Sequence, residues 1–247
     1  MDPSQLTAHL TAIITAIGGL GTAAFGLLEA IKPICPVINR IGFGGIRKTV
    51  SSLTPPEADA KTPMNALPSA KVLESLEANW VNGTDLASQK AIAKSLIKLH
   101  LSAGNAAALA TATNVDSNQL TAVATSIVSA TSLTQQQGDA YSRFDLIVTA
   151  MLDECYQRSD QVYRNWMRGL AALIAVLLSV AGGWILASAA PAAGSAPLAN
   201  PQSFWGSQNL ALAILIGLLA TPLAPIAKDL STALAAAVNT VQLVKKP

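Results

Sequence analysis

The stretch LAALIAVLLSVAGGWILA, residues 170–187, decides the fold class, because every side chain in it is uncharged and most are apolar. A helix rises about 1.5 Å per residue, so this stretch is long enough to cross about 30 Å of hydrocarbon. A similar stretch, LALAILIGLLATPLAPI, occupies residues 210–226. We therefore predict the second transmembrane helix at 169–187 and the third at 210–226.

A further uncharged region precedes these two near the N-terminus. Residues 6–28 carry no Asp, Glu, Lys or Arg, but they include several threonines and glycines and are less apolar. We assign residues 1–32 to a first transmembrane helix; its mixed composition leaves open whether the segment 6–31 crosses the whole bilayer. No basic residue precedes it, and a cleavable signal peptide would begin with a basic region.

The composition of the whole chain excludes several classes of protein. Of its 247 residues, 51% are hydrophobic and only 12% are charged, about half the usual share. Two cysteines cannot form a disulfide scaffold, and a net charge of +2 with 4% aromatic residues argues against nucleic-acid binding. Alanine is abundant and favours helix, so we predict an all-α membrane protein.

The basic residues predict the orientation of the spans. They cluster after the first span, before the second and after the third, whereas the loop 188–209 has none. Cytoplasmic loops carry the excess of Lys and Arg, so we expect the N-terminus outside and the central domain and C-terminus in the cytoplasm. The expected location is the inner (plasma) membrane, as a multi-pass protein, and the sequon beginning at Asn82 is expected to stay unglycosylated.

The remaining residues divide into four segments. Glycines and prolines make 33–68 look like a juxtamembrane loop and linker, and helical spacing predicts a cytoplasmic helical domain at 69–168. From Asp139 to Leu186 no proline interrupts the pattern, so we expect one long helix continuous with the second span. An external loop at 188–209 and a cytoplasmic amphipathic helix at 227–247 complete the chain.

The first span carries a stripe of small and polar residues. They recur at helical spacing and so share one face, which we call the polar stripe: Thr11, Thr15, Gly18, Thr22 and Glu29. Such a face avoids acyl chains and meets protein or water. One interpretation is close helix packing; the other is a water-lined path in an oligomer, with Glu29 as an inner charged ring.

Two groups of basic residues are candidate contact sites. Arg47 and Lys48 lie in the stretch GFGGIRKT, residues 42–49, which comes near a phosphate-binding loop. It has Arg47 where that motif needs glycine, and no strand pattern precedes it. We expect these two to contact lipid headgroups. Lys90, Lys94 and Lys98 recur every four residues on one helix face, which is either solvated or a contact with acidic lipid or an acidic partner.

The sequence contains few residues in arrangements typical of catalysis. The two histidines have no metal-ligand spacing, and no catalytic motif occurs, so we expect no enzyme activity, no cofactor and no metal. The helices expected in 103–137 consist of small residues that bury little area, so neighbours or other copies would have to support them. We predict a non-enzymatic membrane scaffold or anchor subunit, a homo-oligomer or part of a larger complex; the alternative is a homo-oligomeric channel.

Overall fold

The computed structural model describes residues 3–55, 68–188, 204–206 and 208–225, and the side chains among them from residue 12 onward. Every regular element in these ranges is helical, which confirms the all-α prediction. The chain forms two compact units: unit 1 comprises Met1–Ile34 and Asn165–Pro247, and unit 2 comprises Cys35–Arg164.

Nine helices are found in the described ranges. Their bounds are α1 Pro3–Ile31, α2 Pro36–Asn39, α3 Phe43–Leu53, α4 Ser69–Val81, α5 Leu86–His100, α6 Ala106–Thr113, α7 Ser117–Val128, α8 Gln135–Ser188 and α9 Gln208–Pro225. Of α8, residues 135–164 belong to unit 2 and residues 165–188 to unit 1.

Three helices in the described ranges are long and apolar enough to cross a membrane. They are Ala12–Ile31 in α1, a window within α8 and the whole of α9. This confirms the prediction of three membrane-length helices. The kind of membrane and the sidedness stay predictions.

Unit 1 is packed through small residues. Ala24, Ala175 and Ala220 are fully buried at its centre. The large side chains that pack against them, such as Ile17 and Leu178, are only partly buried. A Cβ on Gly21 would collide with the backbone of Ala220, and a Cβ on Gly217 would collide with that of Val176. The helices thus approach each other to backbone distance, as membrane helices do at small residues.

Unit 2 has a core of large side chains at helical spacing. The inner face of α8 buries an aromatic or aliphatic residue every fourth position, at Phe144, Val148, Leu152 and Tyr156. Against it pack the buried faces of the other helices: Phe43, Ile46, Val50 and Leu53 of α3, Val72, Leu76 and Trp80 of α4, and Ala93 and Ile97 of α5.

The expectation of an irregular loop after the first span was wrong for 43–53, which form α3. Glycines at the start of this segment suggested a loop. The buried residues of α3 nevertheless recur at steps of three and four, which is the helical period. Burial of this apolar face outweighs the low helix propensity of Gly44 and Gly45.

The small-residue helices α6 and α7 draw their support from unit 2 itself. Leu109, Leu120 and Val123 are fully buried in its core, so no second copy is needed to cover them. Asp116 caps the start of α7, since its carboxylate accepts a hydrogen bond from the backbone N of Gln119 at 2.8 Å. Asp85 caps α5 in the same way, by accepting a hydrogen bond from the backbone N of Ser88.

Several predictions lie outside the described residues. These are the C-terminal amphipathic helix at 227–247, most of the external loop at 188–209, the linker residues 56–67 and the side chain of Thr11.

Candidate functional site

The polar stripe on α1 is divided by the packing of unit 1. Thr15, Thr22 and Glu29 are exposed on the three-helix unit, whereas Gly18 is buried. The Thr22 hydroxyl donates a hydrogen bond to the backbone O of Gly18 at 3.0 Å, and Glu29 forms an ion pair with Lys32 at 2.6 Å. The outward part of the stripe is therefore not covered by the described helices of unit 1.

An adjacent face of α1, which shares Gly18 with the polar stripe, makes the contacts within unit 1. Its buried residues are Gly18, Gly21, Ala24 and Leu28, at steps of three and four. This face was not predicted from the sequence, although small residues that recur along one face of a membrane helix favour close helix contact.

An apolar groove of about 650 Å³ also lies between the helices of unit 1. Its wall is mostly aliphatic and includes Ile17, Leu20, Leu178 and Ile216. Water gains few hydrogen bonds on such a surface. A polar path would have to run along the outward face of α1 instead.

The lysines of α5 bind carboxylates of α8. We call this set the lysine ladder: Lys90 pairs with Asp153 at 2.5 Å, and Lys94 and Lys98 pair with Asp145 at 2.6 and 2.5 Å. Each lysine side chain is about 30% exposed, so the ladder is neither buried nor fully solvated. These lysines thus hold α5 to α8 within unit 2.

Within the ladder, the pKa values of Lys98 and Asp145 are both shifted in the direction that favours their charged forms. The hydrogen bond to Asp145 raises the pKa of Lys98 above its usual value. Burial on its own would raise the pKa of the Asp145 carboxyl. The hydrogen bonds from Lys94 and Lys98 outweigh this effect, so the pKa of Asp145 is lowered. Lys98 also lies 5.3 Å from the centre of the Tyr141 ring.

Arg47 and Lys48 lie on the exposed side of α3 and differ in their contacts. Arg47 bonds the Glu77 carboxylate at 2.6 Å, and Arg40 bonds the other oxygen of the same carboxylate at 2.8 Å. Lys48 is exposed, with no ion pair to any residue that the structure describes. Of the two predicted headgroup contacts, Lys48 is therefore the more available.

Comparison with known proteins assigns the chain to no family, because it matches no family model, no curated protein and no solved structure. Function therefore has to be argued from the chain's own geometry.

The described residues offer little to a catalytic site. No group of three or more His, Cys, Asp or Glu side chains among them is placed to hold a metal ion. Burial raises the pKa of the Cys155 thiol to about 11, so it stays protonated at neutral pH. His100 is buried and lies 2.7 Å from the backbone O of Pro55.

Sequence reasoning missed one feature of unit 2, a cavity of about 280 Å³ beside Trp80 and Tyr163. These two residues are far apart along the chain, and no spacing rule brings them together. The one sequence signal for this cavity is the scarcity of aromatic residues, which make up 4% of the chain and include both Trp80 and Tyr163.

Proposed function

We propose that the protein is a non-enzymatic membrane-anchor subunit whose unit 2 is a cytoplasmic docking platform for its own copies or for a larger complex. The observation that carries this is the order of the chain. Unit 2 comprises Cys35–Arg164, and both its ends lead into membrane-length helices. A domain tethered at two points has less orientational freedom than one on a single tether, and this favours a fixed platform.

The core of unit 2 supports the same proposal. Residues such as Phe144 and Leu152 are completely buried, so the platform is folded before a partner arrives. Binding to a preformed surface avoids the entropy cost of ordering a segment. Assembly then depends on the surface of unit 2.

The docking surface that we propose lies at the end of α7. Ile127 and Val128 are 51% and 61% exposed, and Leu133 follows at 38%. Adjacent exposed apolar residues of this kind are more informative than scattered ones. Burying them against a partner would remove apolar area from water.

Native mass spectrometry of protein extracted from native membranes tests both parts of this proposal. We expect an oligomer or a stable complex with other subunits, and its loss in the Ile127→Ser/Val128→Ser variant. Leu146→Ser is the matched control, because Leu146 is 68% exposed elsewhere on unit 2. A monomer without partners contradicts the anchor proposal, and an unchanged complex in the double variant contradicts the α7 surface.

The proposed orientation has unit 2 in the cytoplasm. Asn82 is exposed and begins the sequon Asn82-Gly83-Thr84, so its glycosylation reports the side on which unit 2 lies. In glycosylating microsomes we expect no sugar at Asn82. The control is Pro201→Ala/Gln202→Thr, which creates a sequon at Asn200 in the predicted external loop. Sugar at Asn82 and none at Asn200 would reverse the orientation.

We further propose that α8 is one rigid rod from unit 2 into the second span. Leu146 and Leu173 are exposed positions on its two parts and accept spin labels. An unbroken helix places them about 40 Å apart at about 1.5 Å per residue. A narrow distance distribution near that value supports the rod, and a broad or much shorter one contradicts it.

A homo-oligomeric channel is the second candidate function. It is favoured by the exposure of Thr15, Thr22 and Glu29 on the outside of unit 1, where copies would surround an axis. Conductance in planar bilayers is expected to fall in Thr15→Leu and Glu29→Gln and to persist in the control Ile13→Leu. No conductance in the wild type, or equal conductance in all variants, removes this candidate.

A further inference from the structure

The cavity of about 280 Å³ lies wholly within unit 2. It is formed where α4 ends, where α5 begins and where residues 160–164 of α8 pass both. The side chains that matter here are Trp80, Asp85, Gln89, Asp160, Tyr163 and Arg164. Its volume is near the lower limit of about 300 Å³ for small-molecule sites, so a ligand would have to be small.

Two rings form one side of this cavity. The centroids of Trp80 and Tyr163 lie 6.2 Å apart with the ring planes at 83°, an edge-to-face arrangement. Aromatic faces carry the negative part of the ring quadrupole and attract cations. Planar cations such as guanidinium also stack on them.

Two neutral side-chain donors around the cavity, those of Trp80 and Gln89, are already engaged. The indole Nε1 of Trp80 donates to the backbone O of Ile41 at 3.2 Å. The amide Nε2 of Gln89 donates to the backbone O of Thr84 at 2.5 Å. Because a backbone carbonyl only accepts, this contact determines which end of the Gln89 amide is nitrogen.

The acceptors around the cavity are not fully used. Gln89 is 2% exposed, and its Oε1 meets no donor in the part of the chain that the structure describes. One oxygen of Asp85 accepts from the backbone N of Ser88 at 2.9 Å, and one oxygen of Asp160 binds Arg164 at 2.7 Å. Each carboxylate has a second oxygen with capacity for further hydrogen bonds.

The charge around the cavity is negative, although that of the chain is positive. The charged side chains of the lining are the carboxylates of Asp85 and Asp160 and the guanidinium of Arg164. Their formal net charge is −1, whereas that of the whole chain is +2. Acceptors, aromatic faces and this charge all favour the same kind of ligand. We propose that the cavity binds a small planar organic cation of the guanidinium or amidinium class.

The test compares two probes of nearly the same shape. The full chain in nanodiscs is titrated with methylguanidinium chloride and with N-methylurea at constant ionic strength, followed by saturation-transfer NMR. Methylguanidinium is expected to bind saturably, and at least about tenfold more tightly than the uncharged urea, because hydrogen bonds between charged groups are the stronger ones. Equal binding of the two probes would overturn the proposal, because the positive charge would then not be recognised. Absence of binding by both probes would also overturn it.

Variants on α8 locate the binding. Asp160→Asn removes a carboxylate from the cavity, and we expect it to weaken methylguanidinium binding about tenfold. Asp153→Asn is the matched control, because Asp153 also forms one ion pair from α8 but lies outside the cavity lining. Equal weakening in both variants would mean that the cation binds elsewhere.

A second variant guards against a folding defect. Asp85→Asn also removes a charge but keeps the cap of α5, since asparagine caps helices as well as aspartate does. We expect weaker binding of methylguanidinium with unchanged binding of N-methylurea. Full binding in this variant together with full binding in Asp160→Asn would overturn the proposal.

Discussion

The two units differ in the size of the side chains at their centres. At the centre of unit 1 the fully buried residues are alanines, and large side chains such as Leu173 and Leu177 lie outside, at 56% and 60% exposure. At the centre of unit 2 the fully buried residues include Tyr156, Phe144 and Ile46. Unit 1 thus leaves most of its large apolar side chains outside, with exceptions such as Leu28 and Phe204, whereas unit 2 buries large side chains at its centre.

The difference follows from the solvent that each unit suits. In water, burying one large apolar side chain stabilises a fold by about 1.5–3 kcal/mol. In lipid that gain vanishes, because acyl chains are as apolar as leucine, and close packing of backbones takes its place. The two ways of packing thus support a membrane environment for unit 1 and an aqueous one for unit 2.

The largest expected effect tests the core of unit 2. Phe144→Ala should lower the free energy of unfolding of this unit by about 3–5 kcal/mol, because it removes a completely buried ring and leaves a cavity. Hydrogen exchange of the α5 amides in the full chain measures it. Leu146→Ala, at a position 68% exposed, should change it by no more than about 0.5 kcal/mol. Equal losses in the two variants would contradict the large-side-chain core.

The next effect tests the close contacts of unit 1. Gly21→Val puts a branched side chain where even a Cβ would meet the backbone of Ala220, and we expect a loss of about 1–3 kcal/mol. Gly19→Val on the same helix is the control, since nothing lies within 4 Å of its Cβ position. Reversible unfolding in mixed micelles compares them. A harmless Gly21→Val would mean that α1 and α9 do not pack closely.

A smaller effect tests a helix end in unit 2. Asp116→Ala removes the acceptor for the backbone N of Gln119 at the start of α7 and should cost about 1 kcal/mol. Asp116→Asn retains an acceptor and should recover most of the loss. Chemical denaturation of the full chain in nanodiscs measures both variants. A loss of the same size in both would assign the effect to charge rather than to capping.

The smallest effect concerns the lysine ladder. Lys98→Met should lower stability at pH 7 by about 0.5 kcal/mol, because a partly exposed pair is screened by solvent. The folded-state pKa of Lys98 is raised, so its contribution is fully present below the unfolded pKa and is lost as the pH rises through the folded value. Unfolding at neutral and strongly alkaline pH should therefore show the difference from wild type shrinking. Lys71→Met, in a well-exposed pair, is the control.

Much of unit 2 was predictable because its helices are regular. The buried face of α8 follows the period of Phe144, Val148 and Leu152, and Asp116 stands where a cap belongs. The prediction failed at α3, where Gly44 and Gly45 suggested a loop. Local propensity is a weak signal, and burial of one apolar face is enough to override it.

The sites were less predictable than the helices. Helical spacing correctly placed Lys90, Lys94 and Lys98 on one face, but it did not reveal that Asp145 and Asp153 lie opposite them. The polar stripe was visible along α1, yet the packing face through Gly21 was not recognised. Contacts between distant residues, such as Trp80 with Tyr163, leave no periodic trace in a single sequence.

The sequence by itself determined that the chain is helical and has three segments able to cross a membrane, because hydropathy and helical period are properties of neighbouring residues. Only the tertiary structure decided which face of each helix is buried, which lysine meets which aspartate and where a cavity remains. These depend on how side chains from distant segments share space, and that is settled when the helices pack.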